Sequence, residues 1–199
     1  MNEKIEKLKD FIIKASSDEG FVHHIWFVGR HLNIVEKIAL EICEKYPGVD
    51  IDLVRGMVWI HDYPKMVDRE RQHDLPFAEE IIRPLLKSLE FDTLYIDRLI
   101  GHHNIFESKM TTDLSLAPIE VRIVSSADGA SHMFANFFSI YWKENAEKDL
   151  NYLSQSNGRK IRKDWERKIV IQEVKEALRA RYEILSDQEF YLKDRFLNL

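Results

Sequence analysis

The sequence predicts an all-α fold, arranged as a single-domain helical bundle that spans residues 1–199. The chain contains only seven glycines and five prolines, and this scarcity of turn signals favours long helices over many short strands. Apolar residues recur at helical spacing through most of the sequence. The composition, 45% apolar and 32% charged, is typical of a globular protein that is large enough to bury a core.

Three successive helices are predicted in the first part of the chain. The first ends near Ala15, and the second runs from about residue 20 to residue 46, where Pro47 ends it. The third covers residues 50–61, because Pro64 disfavours a helical conformation in the residue that precedes it. The dipeptide His61-Asp62 therefore lies at a helix end, where its side chains can reach a cleft.

Further helices are expected after an exposed, highly charged loop at residues 66–75. One covers residues 77–89, with a kink or a break at Pro84. Another covers residues 94–100 and leads into the pair His102-His103. The polar segment 108–116 is a candidate loop over a site.

Two more helices are predicted in the last part of the chain. One begins at Pro118, which is favourable at a helix start, and carries Asp128. The other is a charged, amphipathic helix over residues 162–191, whose apolar stripe is a candidate surface for a homodimer. That stripe includes Trp165, Ile169 and Leu178. The basic residues 159–168 are interleaved with Asp164 and Glu166, as on a solvated helix face.

Charge and cysteine content exclude several function classes. A formal net charge of −5 argues against a general binder of nucleic acid or membrane surfaces. Cys43 is the single cysteine, so no internal disulfide can form and a reducing compartment is expected. The charged, periodic N-terminus is unlike a signal peptide, and no apolar stretch approaches a membrane span. We therefore expect a cytoplasmic protein.

The most informative feature is a set of ionisable residues on apolar helices. His31, His61-Asp62 and Asp128 each follow or interrupt a hydrophobic stretch, where burial is unfavourable without compensation. A divalent metal ion would provide that compensation, and Mn, Fe, Co, Ni, Zn and Mg all accept such N and O ligands. Taken singly, each has a structural alternative: a core histidine bonded to a carbonyl, or a capping aspartate.

The segments that carry these residues resemble the motifs of HD-domain metal-dependent phosphohydrolases. Residues 31–39 read HLNIVEKIA, residues 58–62 read VWIHD, and residues 123–128 read IVSSAD. The resemblance covers about residues 20–140, and residues 141–199 form a C-terminal helical extension outside it. It implies a helical bundle of the HD-domain type in which one divalent ion is bound by His31, His61, Asp62 and Asp128.

The resemblance also implies the reaction. A metal-bound water would attack phosphorus in a phosphomonoester or phosphoanhydride of a small phosphorylated metabolite, with a nucleotide as the leading candidate. Asp62 would act with the metal, and Lys65, in an HD-x-x-K pattern, would hold the phosphate with His103 or His102. We interpret His132, together with His23 and His24, as structural.

Additional histidines leave two alternatives open. His73, His102 and His103 resemble the extra ligands of two-metal relatives, which are phosphodiesterases or dinucleotide hydrolases. No GYP motif follows His103, however, where residues 104–106 read NIF. These three histidines are therefore candidates either for a second metal or for phosphate contacts. A non-catalytic sensor domain that binds a metal or nucleotide is the alternative from another class.

Overall fold

The protein is described by a computed structural model that covers residues 2–134 and 136–187. Within those residues the structure is all-helical, with no β-strand, as the sequence predicts. Short 3₁₀ turns lie at Ser108–Met110 and Leu114–Leu116, and π-helical turns at Val28–Leu32 and Asp164–Lys168. The α-helices are α1 (Asn2–Ser16), α2 (Asn33–Cys43), α3 (Ile51–Ile60), α4 (Tyr63–Val67), α5 (Leu75–Ser88), α6 (Thr93–Glu107), α7 (Ile119–Ser131), α8 (Phe137–Glu144), α9 (Leu150–Lys163) and α10 (Gln172–Asp187).

Helices α3 and α7 form the centre of the bundle. From Leu53 to Ile60 almost every residue of α3 is buried, and from Val121 to Ser131 nearly all of α7 is buried. Helix α2 packs against α7, and α3 is packed by α1, α2, α6 and α7. Helices buried on several sides read as near-continuous apolar runs, and this explains why the polar residues on them stand out in the sequence.

The C-terminal segment packs directly on α7. A Cβ added at Gly129 would lie 2.9 Å from side-chain atoms of Ile169 and Lys168, so this close approach requires glycine. Ser125 Oγ donates to the carbonyl of Lys168 at 2.9 Å, and Ser126 Oγ accepts from the backbone N–H of Val170 at 3.1 Å. The segment after α9 is thus fixed against the helix that carries Asp128.

Several predicted helix boundaries were wrong. Helical structure after α1 begins only at Phe27, because Asp18 Oδ1 accepts from the backbone N–H of Gly20 at 2.8 Å and starts a series of turns. Helix α5 passes through Pro84 without a break. Helix α6 continues to Glu107, so His102 and His103 lie inside it rather than after it.

The predicted C-terminal helix is interrupted, and its apolar stripe is not a free surface. Helix α9 ends at Lys163, and residues 169–171 are not helical before α10 begins. Ile169 and Leu178 are buried, and the ring of Trp165 stacks on Tyr182 at 4.1 Å. Ile169 and Leu178 are therefore used within the chain, and the homodimer stays a prediction. The part of the predicted helix after residue 187 lies outside the described residues.

Candidate metal centre

The end of α3 orients His61 toward a cavity. Asp50 begins this helix, since its carboxylate accepts from the backbone N–H of Leu53 at 3.0 Å. At the other end, His61 Nδ1 donates to the carbonyl of Val58 at 2.7 Å. A carbonyl oxygen only accepts, so the ring proton is on Nδ1 and the lone pair is on Nε2. That Nε2 atom is buried and has no hydrogen-bond partner.

His31 is oriented by a similar device. The hydroxyl of Ser131 donates to the carbonyl of Asp128 at 2.7 Å and lies 3.1 Å from His31 Nδ1. A hydroxyl has one proton to donate, so it accepts the Nδ1 proton of His31 and leaves the Nε2 lone pair free. Hydrogen bonds of this kind fix the tautomer and orientation of metal-binding histidines.

The free ring nitrogens converge on two carboxylates. Asp62 Oδ2 lies 3.4 Å from Nε2 of both His31 and His61, and Asp128 Oδ1 lies 3.7 Å from His31 Nε2. Ligand atoms of His31, His61 and Asp128 all lie within 4.8 Å of one another. Ligands about 2.1 Å from one ion are separated from each other by about 3 to 4 Å. His31, His61 and Asp128 could therefore hold a single divalent ion, and Asp62 lies next to both histidines.

Burial and neighbouring charges favour, at His31 and Asp62, the protonation state that can bind a metal ion. Burial lowers the pKa of His31 and so favours the neutral ring. Burial would raise the pKa of Asp62, but Lys65 and then His61 outweigh it and hold that pKa well below its usual range. The pKa of His61 behaves differently: burial opposes the charged ring, yet the adjacent Asp62 raises the pKa overall. A divalent cation in the same position would replace that proton.

Asp128 is also bound from the C-terminal segment. Lys168 Nζ lies 2.6 Å from Asp128 Oδ2, the oxygen opposite to the one that approaches His31. Burial would raise the pKa of Asp128, but Lys168 and then His132 outweigh it and keep the residue ionised. Lys168 is itself buried and in turn approaches Asp164, whose Oδ1 is 3.6 Å away.

His132, interpreted as structural from the sequence, lies beside the centre. Its ring is nearly parallel to that of His31 at 5.2 Å, and its Nε2 lies 3.6 Å from Asp128 Oδ1. Its Nδ1 lies 2.9 Å from Asp164 Oδ2 and 2.9 Å from Lys160 Nζ. Burial, reinforced by Lys160, lowers the pKa of His132 to about 3.

The sequence contained readable signals for both His132 and the C-terminal contacts. His132 follows Asp128 by four residues, and Lys160, Asp164 and Lys168 are also four apart. Residues at this spacing share one helix face.

These residues line a cavity of about 530 Å³. Its floor is the cluster of His31, His61, Asp62 and Asp128. Six aromatic side chains lie along its wall, namely Trp26, Phe27, Phe106, Phe137, Tyr141 and Tyr152. Six cationic side chains line the same cavity: Lys65, Arg69, Lys109, Lys160, Lys163 and Lys168.

The residues that were predicted to bind phosphate lie at different distances from the metal centre, some inside the cavity and some at its rim. Lys65 lines the cavity, with its ammonium 5.3 Å from the centre of the Phe27 ring. His73 lies at the rim, 72% exposed, with Nδ1 2.9 Å from Glu107 Oε2. Glu107 also accepts from Lys109 at 2.8 Å. The loop that follows α6 therefore does contribute a residue to the site, in the form of Lys109.

The pair His102-His103 is not brought to the cavity. His102 Nδ1 donates to the carbonyl of Arg98 at 2.8 Å, and its Nε2 lies 3.8 Å from Glu120 Oε2. His103 is buried, neither of its ring nitrogens has a hydrogen-bond partner, and burial lowers its pKa. Neither residue is among those that line the cavity. Within residues 2–134 and 136–187, His73, His102 and His103 do not form a second group of metal ligands.

Comparisons with protein-family models, with curated proteins and with solved structures gave no match for this chain. None of the helices in the described part of the chain combines the length and the apolar content needed to cross a bilayer.

Proposed function

We propose that this protein is a metal-dependent phosphohydrolase of the HD-domain type that acts on a small phosphorylated metabolite. The observation that carries the proposal is the buried Nε2 atom of His61, which has no hydrogen-bond partner and lies 3.4 Å from Asp62 Oδ2. Buried polar atoms without partners are rare in folded proteins, and a bound ion is one of the ways in which such an atom is satisfied. His31 and Asp128 complete a ligand set around the same point.

A divalent ion bound there would lower the pKa of a coordinated water and neutralise the charge that grows on phosphate oxygens. The side chains that line the cavity would bind the substrate. Lys65 lines the cavity that opens on this centre, where its ammonium group would bind phosphate oxygens. Hydrolysis would break the bond between phosphorus and the leaving-group oxygen, and the water would supply the new oxygen on phosphorus.

The aromatic wall favours a nucleotide over a smaller phosphate ester. Trp26, Tyr141 and Tyr152 offer ring faces on which a base can stack, as bases do on aromatic side chains in other nucleotide sites. A volume of about 530 Å³ lies within the range of small-molecule sites. The cytoplasmic location, the homodimer and the single-domain organisation stay predictions.

The test is a phosphatase assay with added Mn²⁺, Co²⁺ or Ni²⁺ on a panel of nucleotides and simple phosphate esters. We expect metal-stimulated activity that falls by about two orders of magnitude or more in Asp62→Ala, since the lost interaction is worth several kcal/mol in the transition state. Asp74→Ala changes the other His-Asp dipeptide and is the matched control, with activity close to that of the wild type.

Two outcomes would contradict the proposal. Activity that survives Asp62→Ala would show that the centre is not catalytic. A wild-type protein that binds the ion but hydrolyses no phosphate ester with any of the three metals would be a binding module. Thermal unfolding of Asp62→Ala, measured alongside, separates loss of the site from loss of the fold.

A further inference from the structure

The cavity carries more positive charge than a single phosphate group requires. Six cationic side chains line it, against the four carboxylates of Asp62, Glu107, Asp128 and Glu144. This excess occurs in a chain whose formal net charge is −5. A divalent ion at the centre would add to it. Clefts lined by one sign of charge concentrate ligands of the opposite sign, so the excess indicates a ligand with several negative charges.

Three of the six cations are already paired with carboxylates. Lys168 lies 2.6 Å from Asp128, and Lys109 lies 2.8 Å from Glu107. Lys160 lies 2.5 Å from Asp164. These pairs neutralise much of the charge close to the centre, so they leave little of it for a ligand.

The other three cations form no ion pair with a carboxylate among the described residues. Lys65 contacts the Phe27 ring, and neither Arg69 nor Lys163 forms an ion pair in the described part of the chain. They come from separate segments, since Lys65 lies in α4, Arg69 follows that helix, and Lys163 is the last residue of α9. Unpaired cations from different segments that line one cavity are available for one shared anion.

The position of Lys163 is fixed by its neighbours rather than by a partner of its own. The preceding turn of α9 is anchored because Lys160 binds Asp164, which is fully buried. Asp164 also contacts Lys168, which reaches Asp128 at the centre. The end of α9 is therefore held against the centre while the Lys163 side chain stays exposed at the rim of the cavity.

We infer that the ligand of this cavity carries two adjoining phosphate groups, that Lys65 binds the one at the metal centre, and that Lys163, with Arg69, binds the one farther from it. The inference rests on the proposed function for the position of the first phosphate. It assigns a specificity-determining role to the C-terminal segment, which lies outside the part of the chain that resembles HD-domain enzymes. The chemical class is a diphosphate, free or attached to an organic group.

Isothermal titration tests this with two non-reacting probes, orthophosphate and methylenediphosphonate, which mimics a diphosphate without being hydrolysed. The full chain is loaded with Mn²⁺, desalted, and its metal content measured before each titration. We expect methylenediphosphonate to bind at least about tenfold more tightly than orthophosphate, because a second set of charge-assisted contacts forms. Lys163→Ala should remove most of that preference while leaving orthophosphate binding within about twofold.

Arg159→Ala is the matched control. Arg159 is an exposed cation on the same helix, and it does not line the cavity. This variant should keep the wild-type preference, and Lys163→Arg should restore it. Equal affinity of the wild type for the two probes would overturn the inference. So would an unchanged preference in Lys163→Ala, or a loss of affinity in that variant that is the same for both probes. The metal content reports separately on the proposed function, since a chain that retains no ion contradicts that function whatever the probes show.

Discussion

The chain contains two His-Asp dipeptides, and the structure gives them opposite environments. In the first, His61 and Asp62 meet His31 and Asp128 at the floor of a cavity, and His61 is buried. In the second, His73 is 72% exposed, and Asp74 caps α5 by accepting from the backbone N–H of Phe77 at 3.1 Å. The dipeptide itself carries little information. The apolar helix before it decides whether its side chains are buried.

A similar contrast separates two acidic residues of the C-terminal segment. Asp164 is fully buried and is bound by Lys160, His132 and Lys168. Glu166, two residues later, is exposed. From the sequence both were read as part of a solvated helix face. Burial, rather than residue type, therefore distinguishes the charged groups that contact the centre and its neighbours from those that are only exposed to solvent.

The largest effect on stability is expected at Asp164. Asp164→Ala should lower the free energy of unfolding by about 3–5 kcal/mol, because it removes the carboxylate that pairs with Lys160 and one of the two carboxylates near the buried Lys168. Glu166→Ala should change it by no more than about 0.5 kcal/mol. Denaturant unfolding of both variants measures the difference. Similar values for the two would show that the buried network does not stabilise the fold.

The same buried network should make the stability of the protein depend on pH in the acid range. Burial would raise the pKa of Asp164, but Lys160, His132 and Lys168 outweigh it and hold that pKa well below its usual range. Its contribution is therefore complete above the pKa of an unfolded aspartate, about 3.9, and is lost as the pH falls below that value. Between pH 4 and 2.5 we expect Asp164→Asn to lose stability less steeply than the wild type, by up to about 1.4 kcal/mol per pH unit. Parallel curves would contradict this assignment.

A smaller effect is expected at the exposed dipeptide. Asp74→Ala removes the cap of α5 and should cost about 1 kcal/mol of unfolding free energy. Asp74→Asn, which keeps an oxygen acceptor, should cost less. Neither change should alter metal binding. A loss of bound metal in either variant would show that the second dipeptide belongs to the centre after all, and it would remove the contrast with His61-Asp62.

Much of the fold and of the centre was predictable from local signals. Apolar periodicity placed α3 and α7, and the polar residues that interrupt those runs, His61 and Asp128, proved to face one another. Pro64 predicted that α3 would end at the dipeptide. These signals succeed because a buried helix tolerates few polar residues, so each one that is present is informative.

Other features depend on tertiary contacts that the sequence does not display. His102 and His103 were expected to follow a helix, but α6 continues through them and turns them away from the cavity. Lys168 and Asp164 resembled surface charges, since nothing local reveals that α7 covers them. Their spacing of four residues was visible, yet exposed helices show the same spacing. Only the close packing at Gly129 brings Lys168 to Asp128.

The central claim is that His61, unlike His73, binds a single metal ion. The most direct test is elemental analysis of the purified protein after incubation with Mn²⁺ and removal of the excess. We predict one ion per chain in the wild type and in His73→Ala, and far less than one in His61→Ala. Two ions per chain in the wild type, or full retention of the ion in His61→Ala, would contradict the account.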